Sequence, residues 1–390
     1  MQEIPIVLIG EKDHGKSTLI GRLLLDTKTI KERKIKEIKE ADKALGKEFE
    51  LAHLVDSFKE EREMEMTFDT TTVLIKGKNK NYLLIDVPGH RELIAQMLTG
   101  ASKAKSALLI VAVDEGIKKQ TILHLEIAKI LGIERLGVVV NKMDKVNYKK
   151  ENFEKIVKEA KKILKKLGYS SKKTKFLPIS ALKGDNVCQK SQNMLWYEGL
   201  NVLEYLEKLK PPLSLEKLPF SFVVQDVYEK DGEKILVGRV ETGKIKEGEK
   251  VLLFPEKKEV TIETISDGGE RVFEAKAGES VGIILKEKIP LKRGSILASL
   301  DFRLKVSNSI LSEIFWLKEP KAKKLILECG TAKIEAEILK PKKIKEKETS
   351  FCKVSLKEPL TFETKYKTTL NKIVLKERGE IIAVGKIIQK

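Results

Sequence analysis

Gly10-Glu-Lys-Asp-His-Gly15-Lys16-Ser17 constrains this chain more than any other stretch of it. It fits GxxxxGK[ST], follows the apolar run IPIVLI (4–9) and opens the apolar-periodic run STLIGRLLL. Strand, glycine loop and helix in that order separate a phosphate-binding loop from a chance match. Glycines let the backbone curl until its N–H groups converge on phosphate oxygens, helped by the positive end of the following helix. The reading makes Asp13, His14, Gly15, Lys16, Ser17 and Thr18 the phosphate-binding stretch. Lys16 reaches the β- and γ-phosphates, and Ser17 is a ligand for Mg²⁺.

Around this loop the first 210 residues alternate short apolar runs with helical stripes. TTVLIK (71–76), NYLLIDV (81–87), SALLIVAV (106–113), LGVVVN (136–141) and KFLPIS (175–180) read as strands. Several are apolar throughout, as strands covered on both faces are. ENFEKIVKEAKKILKKLG (151–168) sets Phe153, Ile156, Val157, Ala160, Ile163, Leu164 and Leu167 on one stripe of a helix. Such alternation predicts a mostly parallel sheet with helices on both faces. The polar turn KGKNKN (76–81) makes TTVLIK an antiparallel edge strand, and the charged segment 29–50 reads as a helical insertion. Pro211 and Pro212 end this pattern. Beyond them, helical stripes give way to short β-rich segments punctuated by glycine turns, with Asp231-Gly232 as a hairpin signal. The expected organisation is an α/β P-loop domain over 1–210, then two all-β barrels over 211–300 and 301–390.

Further motifs fall at strand ends. Asp86-Val-Pro-Gly89-His90 closes LLIDV: Asp86 can hold Mg²⁺ through water, the Gly89 N–H can sense a γ-phosphate, and His90 can orient an attacking water. Asn141-Lys142-Met143-Asp144 closes the next buried strand. The Asp144 carboxylate there accepts from guanine N1–H and the 2-amino group, a pairing adenine cannot supply, which selects GTP or GDP. Ser180-Ala181-Leu182 fits a loop whose N–H groups meet guanine O6. Thr67, ahead of the edge strand, is the second protein ligand expected for Mg²⁺, on a loop ordered by the γ-phosphate. Lys16, Thr67 and His90 are thus the catalytic candidates.

Composition narrows the classes. The chain has 390 residues, 41% of them hydrophobic and 34% charged, which suits soluble domains with ample cores. No apolar run approaches the roughly 18 residues of a membrane span, and the start is too short in apolar residues for a signal peptide. Cys188, Cys329 and Cys352 are too few and scattered for a disulfide framework, which points to a cytoplasmic protein. The formal charge of +18 invites an RNA reading, but only ten of the 76 basic residues are Arg, the type suited to forked phosphate contacts. Residues 301–390 carry 21 Lys and Arg against 12 Asp and Glu.

With GEKDHGKSTLIGRLL, EEREMEMTFD, DVPGHRELIAQMLTGASKA, VVVNKMDKV and PISALKGDNV in order, the chain resembles the translation-factor class of GTPases over all its domains. STLIGRLL, the charged insertion and SQNMLWYEGLNVLEYLE are similar to one branch, which holds elongation factor 1-alpha and the GTPase subunit of sulfate adenylyltransferase. FELAHLVDSFKEERE, QDVYEKDGEKILVGRVETG and SEIFWLKEPK resemble the sulfate-activating member, and the reading settles there. That resemblance implies GTP hydrolysis coupled to an adenylyltransferase subunit of the ATP-pyrophosphatase type, with no membrane or DNA partner. The alternative is an elongation factor 1-alpha-like protein that binds aminoacyl-tRNA and the ribosome. Two positions depart from the class: Lys12 stands where it has the Val of an apolar gate before the catalytic histidine, and Met66 where it has the Ile opposite. The departures bear on hydrolysis rate and control, not on nucleotide binding.

Overall fold

The computed structural model describes residues 3–44, 49–55, 57, 72–86, 104–130, 132–170, 173–211, 214–230, 232–366 and 368–389. These form two compact units, which divide between Pro212 and Leu213. No helix among the described residues is long and apolar enough to cross a membrane.

In the first unit, β1 (Glu3–Ile9), β2 (Thr72–Lys76), β3 (Asn81–Asp86), β4 (Ser106–Ala112), β5 (Arg135–Asn141) and β6 (Lys175–Pro178) form one sheet ordered β2-β3-β1-β4-β5-β6. All neighbours run parallel except β2, which pairs antiparallel with β3 as the polar turn predicts. Every residue of β4 is buried, the signature of a strand with helices on both sides. Helices among the described residues include α1 (Lys16–Asp26), α2 (Glu32–Ala44), α3 (Lys119–Ile130), α4 (Lys150–Lys166) and α5 (Val202–Lys208). On α4 the buried residues are Phe153, Ile156, Ala160 and Leu164, a strict i, i+3, i+4 stripe. Val157, Ile163 and Leu167, expected on the same stripe, are half-buried at its margins. α5 opens on a reciprocal cap: Asn201 Oδ1 accepts from Glu204 N at 2.8 Å, and Glu204 Oε2 accepts from Asn201 N at 2.9 Å. Leu8, Leu19, Leu23, Leu54, Leu84, Ile110 and Val139 belong to one buried cluster, each Leu or Ile contributing on the order of 1.5–3 kcal/mol relative to exposure.

Because the strands are parallel, their carboxyl ends reach the same edge. Leu8 stands beside Asp86, and Ala112 beside Asn141. The loops after β1, β3, β5 and β6 therefore leave from one rim, the place where open parallel sheets receive ligands.

The second unit is all β. One sheet runs Lys250–Phe254, Ile296–Ala298, Ser221–Lys230, Glu233–Thr242, Ser280–Leu285, Lys258–Asp267, Glu270–Val272, and Lys258–Asp267 pairs back to Lys250–Phe254, so it closes on itself. Lys230 faces Glu233 at the expected hairpin. Six further strands between Lys305 and Ile387 form a closed barrel around Ile310, Trp316, Leu327, Val354 and Phe362. Trp316 and Cys352 are fully enclosed there. A separate cluster joins the two: Val223, Phe254 and Ile296 pack with Phe302, Leu304 and Leu370. The structure thus has an α/β P-loop domain followed by two β-barrels.

Candidate nucleotide-binding site

The glycine loop leaves β1 with no room for a side chain. A Cβ on Gly10 would stand 2.5 Å from Ile110 O in β4. At Gly15 (φ +91°) a Cβ would run into the Asn141 amide, so glycine is required by both conformation and space. α1 begins one residue later, with Leu19 N bonded to Gly15 O at 2.9 Å.

Lys16 folds back over the loop. Its Nζ donates to Gly10 O and Glu11 O, each at 2.8 Å. Burial pulls the ammonium below its ordinary pKa, against the opposing pull of Asp86, Glu11 and Asp13. A cation held half-desolvated at the start of a helix is prepared for an anion. Asp86 Oδ1 is buried and has no hydrogen-bond partner among the described residues. An orphaned carboxylate oxygen near Lys16, with Ser17 on the first turn of α1, fits the donor set of a Mg²⁺-bound phosphate.

The sequence did not signal how the loop is braced. Glu11 Oε1 accepts from Thr121 N and Thr121 Oγ1, both at 3.1 Å, tying the loop to α3. His14 is fully buried; its Nδ1 lies 3.4 Å from Ile110 O and its Nε2 3.6 Å from Glu115 Oε2. The imidazole is therefore enclosed between β4 and Glu115, and the His14 carbonyl bonds Asn141. Nothing in the linear pattern marks Glu11 or Glu115, since their partners are brought close only by folding.

Asn141 joins the loops. Its Nδ2 donates to His14 O at 3.0 Å, and its Oδ1 accepts from Ala181 N at 3.0 Å. One buried amide thus fixes the phosphate loop against Ser180-Ala181-Leu182. Lys142 has φ +64° and leads into a single helical turn, Met143–Val146, with Met143 N bonded to Ile179 O at 3.1 Å. Asp144 is half-exposed on that turn. Lys145 Nζ donates to Asp114 Oδ2 at 3.0 Å, and Tyr148 OH donates to Asp185 Oδ2 at 2.9 Å, so both sides of the turn are tethered. Burial, then the Asp185 contact, pushes the Tyr148 hydroxyl up to about 12.

The structure brings Asp13 through Thr18, Asp86, Asn141, Lys142, Asp144 and Ser180 through Leu182 to one rim. Thr67, Gly89 and His90, and with them Met66, lie outside the described residues. Lys12 is exposed.

Comparison with known proteins gives the family. Residues 2–212 match the family described as Elongation factor Tu GTP binding domain, and residues 234–298 match Elongation factor Tu domain 2. Elongation factor 1-alpha of Pyrobaculum calidifontis is 35% identical over 419 residues, spanning 99% of this chain and 94% of that protein. The Aeropyrum pernix protein of the same name is 39% identical over 330 residues, 81% of this chain and 76% of its own. The crystal structure of sup35 complexed with GDP aligns over 100% of this chain and 94% of that one, at 24% identity and a TM-score of 0.41, a likeness too slight to carry an argument. With more than half its length in the first of these matches, the chain belongs to the elongation factor Tu family of GTP-binding proteins, the translation-factor class of GTPases.

Proposed function

We propose that the protein is a GTP-hydrolysing switch of the elongation factor 1-alpha kind, cytoplasmic, whose GTP state holds an aminoacyl-tRNA for the ribosome. The observation that carries this is the near full-length similarity to proteins named elongation factor 1-alpha. It favours the alternative over the sulfate-activating reading that the sequence put first, for which the relatives give no support. The boundaries at 210 and 300 belong to the same proposal.

In this reading the family's ligands, GTP or GDP with Mg²⁺, occupy the rim. Lys16 and the loop N–H groups bind the phosphates, while Asn141, Lys142, Asp144 and Ser180 through Leu182 frame guanine. Ser17 and Thr67 hold the metal, with Asp86 reaching it through water. When bound, Mg²⁺ neutralises charge on the β- and γ-oxygens. His90 orients the attacking water, Gly89 reads the γ-phosphate, and Lys16 stabilises the charge that develops in transfer.

The test is retention of aminoacyl-tRNA by the purified protein loaded with a non-hydrolysable GTP analogue, against the GDP form. Stoichiometric binding that weakens steeply with salt supports the reading. Failure to retain it, with co-purification of an adenylyltransferase subunit of the ATP-pyrophosphatase type, overturns it in favour of sulfate activation.

A further inference from the structure

We infer that Arg22 is a positioning residue for guanine recognition, a role that rests on the reading of Ser180 through Leu182 as the loop that meets guanine O6. Arg22 lies on α1, the helix that opens with Lys16 and Ser17. Its guanidinium reaches 159 and 160 residues along the chain: Nε donates to Ala181 O at 3.1 Å, and Nη2 donates to Leu182 O. The side chain is only 19% exposed, and Nη1 stands 3.5 Å from Asp26 Oδ1, one turn further along α1.

A trans peptide holds its C=O and N–H on opposite edges of one plane. The Ala181 carbonyl and the Leu182 N–H share such a plane, so capture of the carbonyl by Arg22 aims the N–H away from α1. On the loop's other side, Ala181 N–H is already committed to Asn141 Oδ1. Among the described residues the Leu182 N–H donates to no backbone carbonyl, which leaves it as the donor for a base carbonyl. Ser180 and Ala181 are buried, and the turn is closed by Ser180 N to Asp185 O at 3.1 Å, Gly184 N to Ser180 O at 2.8 Å and Lys183 N to Ser180 Oγ at 3.2 Å. The Leu182 side chain, by contrast, is 58% exposed, so the Arg22 contact falls on the outer peptides of the loop. A planar fork that donates to two carbonyls at once is geometry that Lys cannot reproduce. One helix thereby carries both the phosphate-binding Lys16 and the anchor of the base-reading loop.

Equilibrium affinities of nucleotide-free protein for GDP, 6-thio-GDP and IDP separate this role from a structural stitch. The thio analogue weakens chiefly the acceptor at position 6, while IDP lacks the 2-amino group assigned to Asp144. Wild type prefers GDP to both. Arg22→Met should lose roughly tenfold in GDP affinity, the worth of a charge-assisted pair. Its preference for GDP over 6-thio-GDP should collapse while its preference over IDP stays. Equal weakening toward all three, with every preference kept, overturns the inference. A wild type that prefers GDP over IDP but not over 6-thio-GDP overturns the O6 reading itself, a different failure. Should Arg22→Met melt below the assay temperature, Arg22→Lys, which keeps the charge but not the fork, makes the same comparison with the same outcomes.

Discussion

Asn141 Nδ2 donates to the His14 carbonyl oxygen at 3.0 Å, across 127 residues of chain and deep inside the first unit. The same side chain accepts from Ala181 N, so a single buried amide bonds directly to both the phosphate loop and the base loop. Asn141→Ala leaves a carbonyl and an N–H in the interior without partners, which costs roughly 2–4 kcal/mol. The expected result is a melting temperature lower by about 4–16 °C for a unit of this size, and GDP affinity down by two orders of magnitude or more. Calorimetry and titration with a fluorescent GDP check both. A variant that binds GDP normally would show that the bridge does not organise the site.

Lys16 gives a pH dependence with a definite sign. Burial lowers its pKa in the folded chain, so between that lowered value and the ordinary 10.5 the unfolded chain binds more protons. The nucleotide-free protein should therefore gain stability as pH rises through this window, and Lys16→Met should lack that component. Denaturant midpoints of both proteins across the window, compared as a difference, isolate Lys16 from the other lysines. A difference that stays flat refutes the desolvated cation.

Lys12 is exposed and has no ion pair among the described residues. Lys12→Val should leave stability within about 0.5 kcal/mol and GDP affinity within about twofold. If an apolar wall at this position shields His90, the substitution slows basal GTP turnover. An unchanged rate under single-turnover conditions would show that this position does not control the histidine.

Within the second unit the two barrels are stitched by polar contacts beside their shared apolar cluster. Thr331 Oγ1 donates to Val224 O at 2.6 Å, and Arg293 donates to Gln225 O at 3.0 Å and Thr331 O at 3.3 Å. Thr331→Val should cost about 1 kcal/mol and Arg293→Ala about 1–2 kcal/mol. Both should speed hydrogen exchange at 223–226 without changing GDP affinity. Unaltered exchange there would mean that the apolar cluster alone holds the barrels.

Much of the molecule could be read along the line of the chain. The glycine loop, the buried strands and the α4 stripe declare themselves because they are local: a period of 3.6, a run of apolar residues, or a turn needs only its neighbours in sequence. Asp86 and Asn141 end β3 and β5, with Asp144 on the turn that follows, positions legible for the same reason, since parallel strands deliver their ends to one rim. Branch membership was harder to read, because segments such as SEIFWLKEPK identify kinship by likeness rather than by chemistry. What only the tertiary structure decided is which groups meet across the chain. Glu11 with Thr121, His14 with Glu115, Arg22 with the carbonyls of Ala181 and Leu182, and Asn141 between two loops depend on distances set by packing. A hydrogen bond between residues a hundred or more positions apart leaves no periodicity to find, so the order of residues supplied the reagents and the fold supplied their alignment.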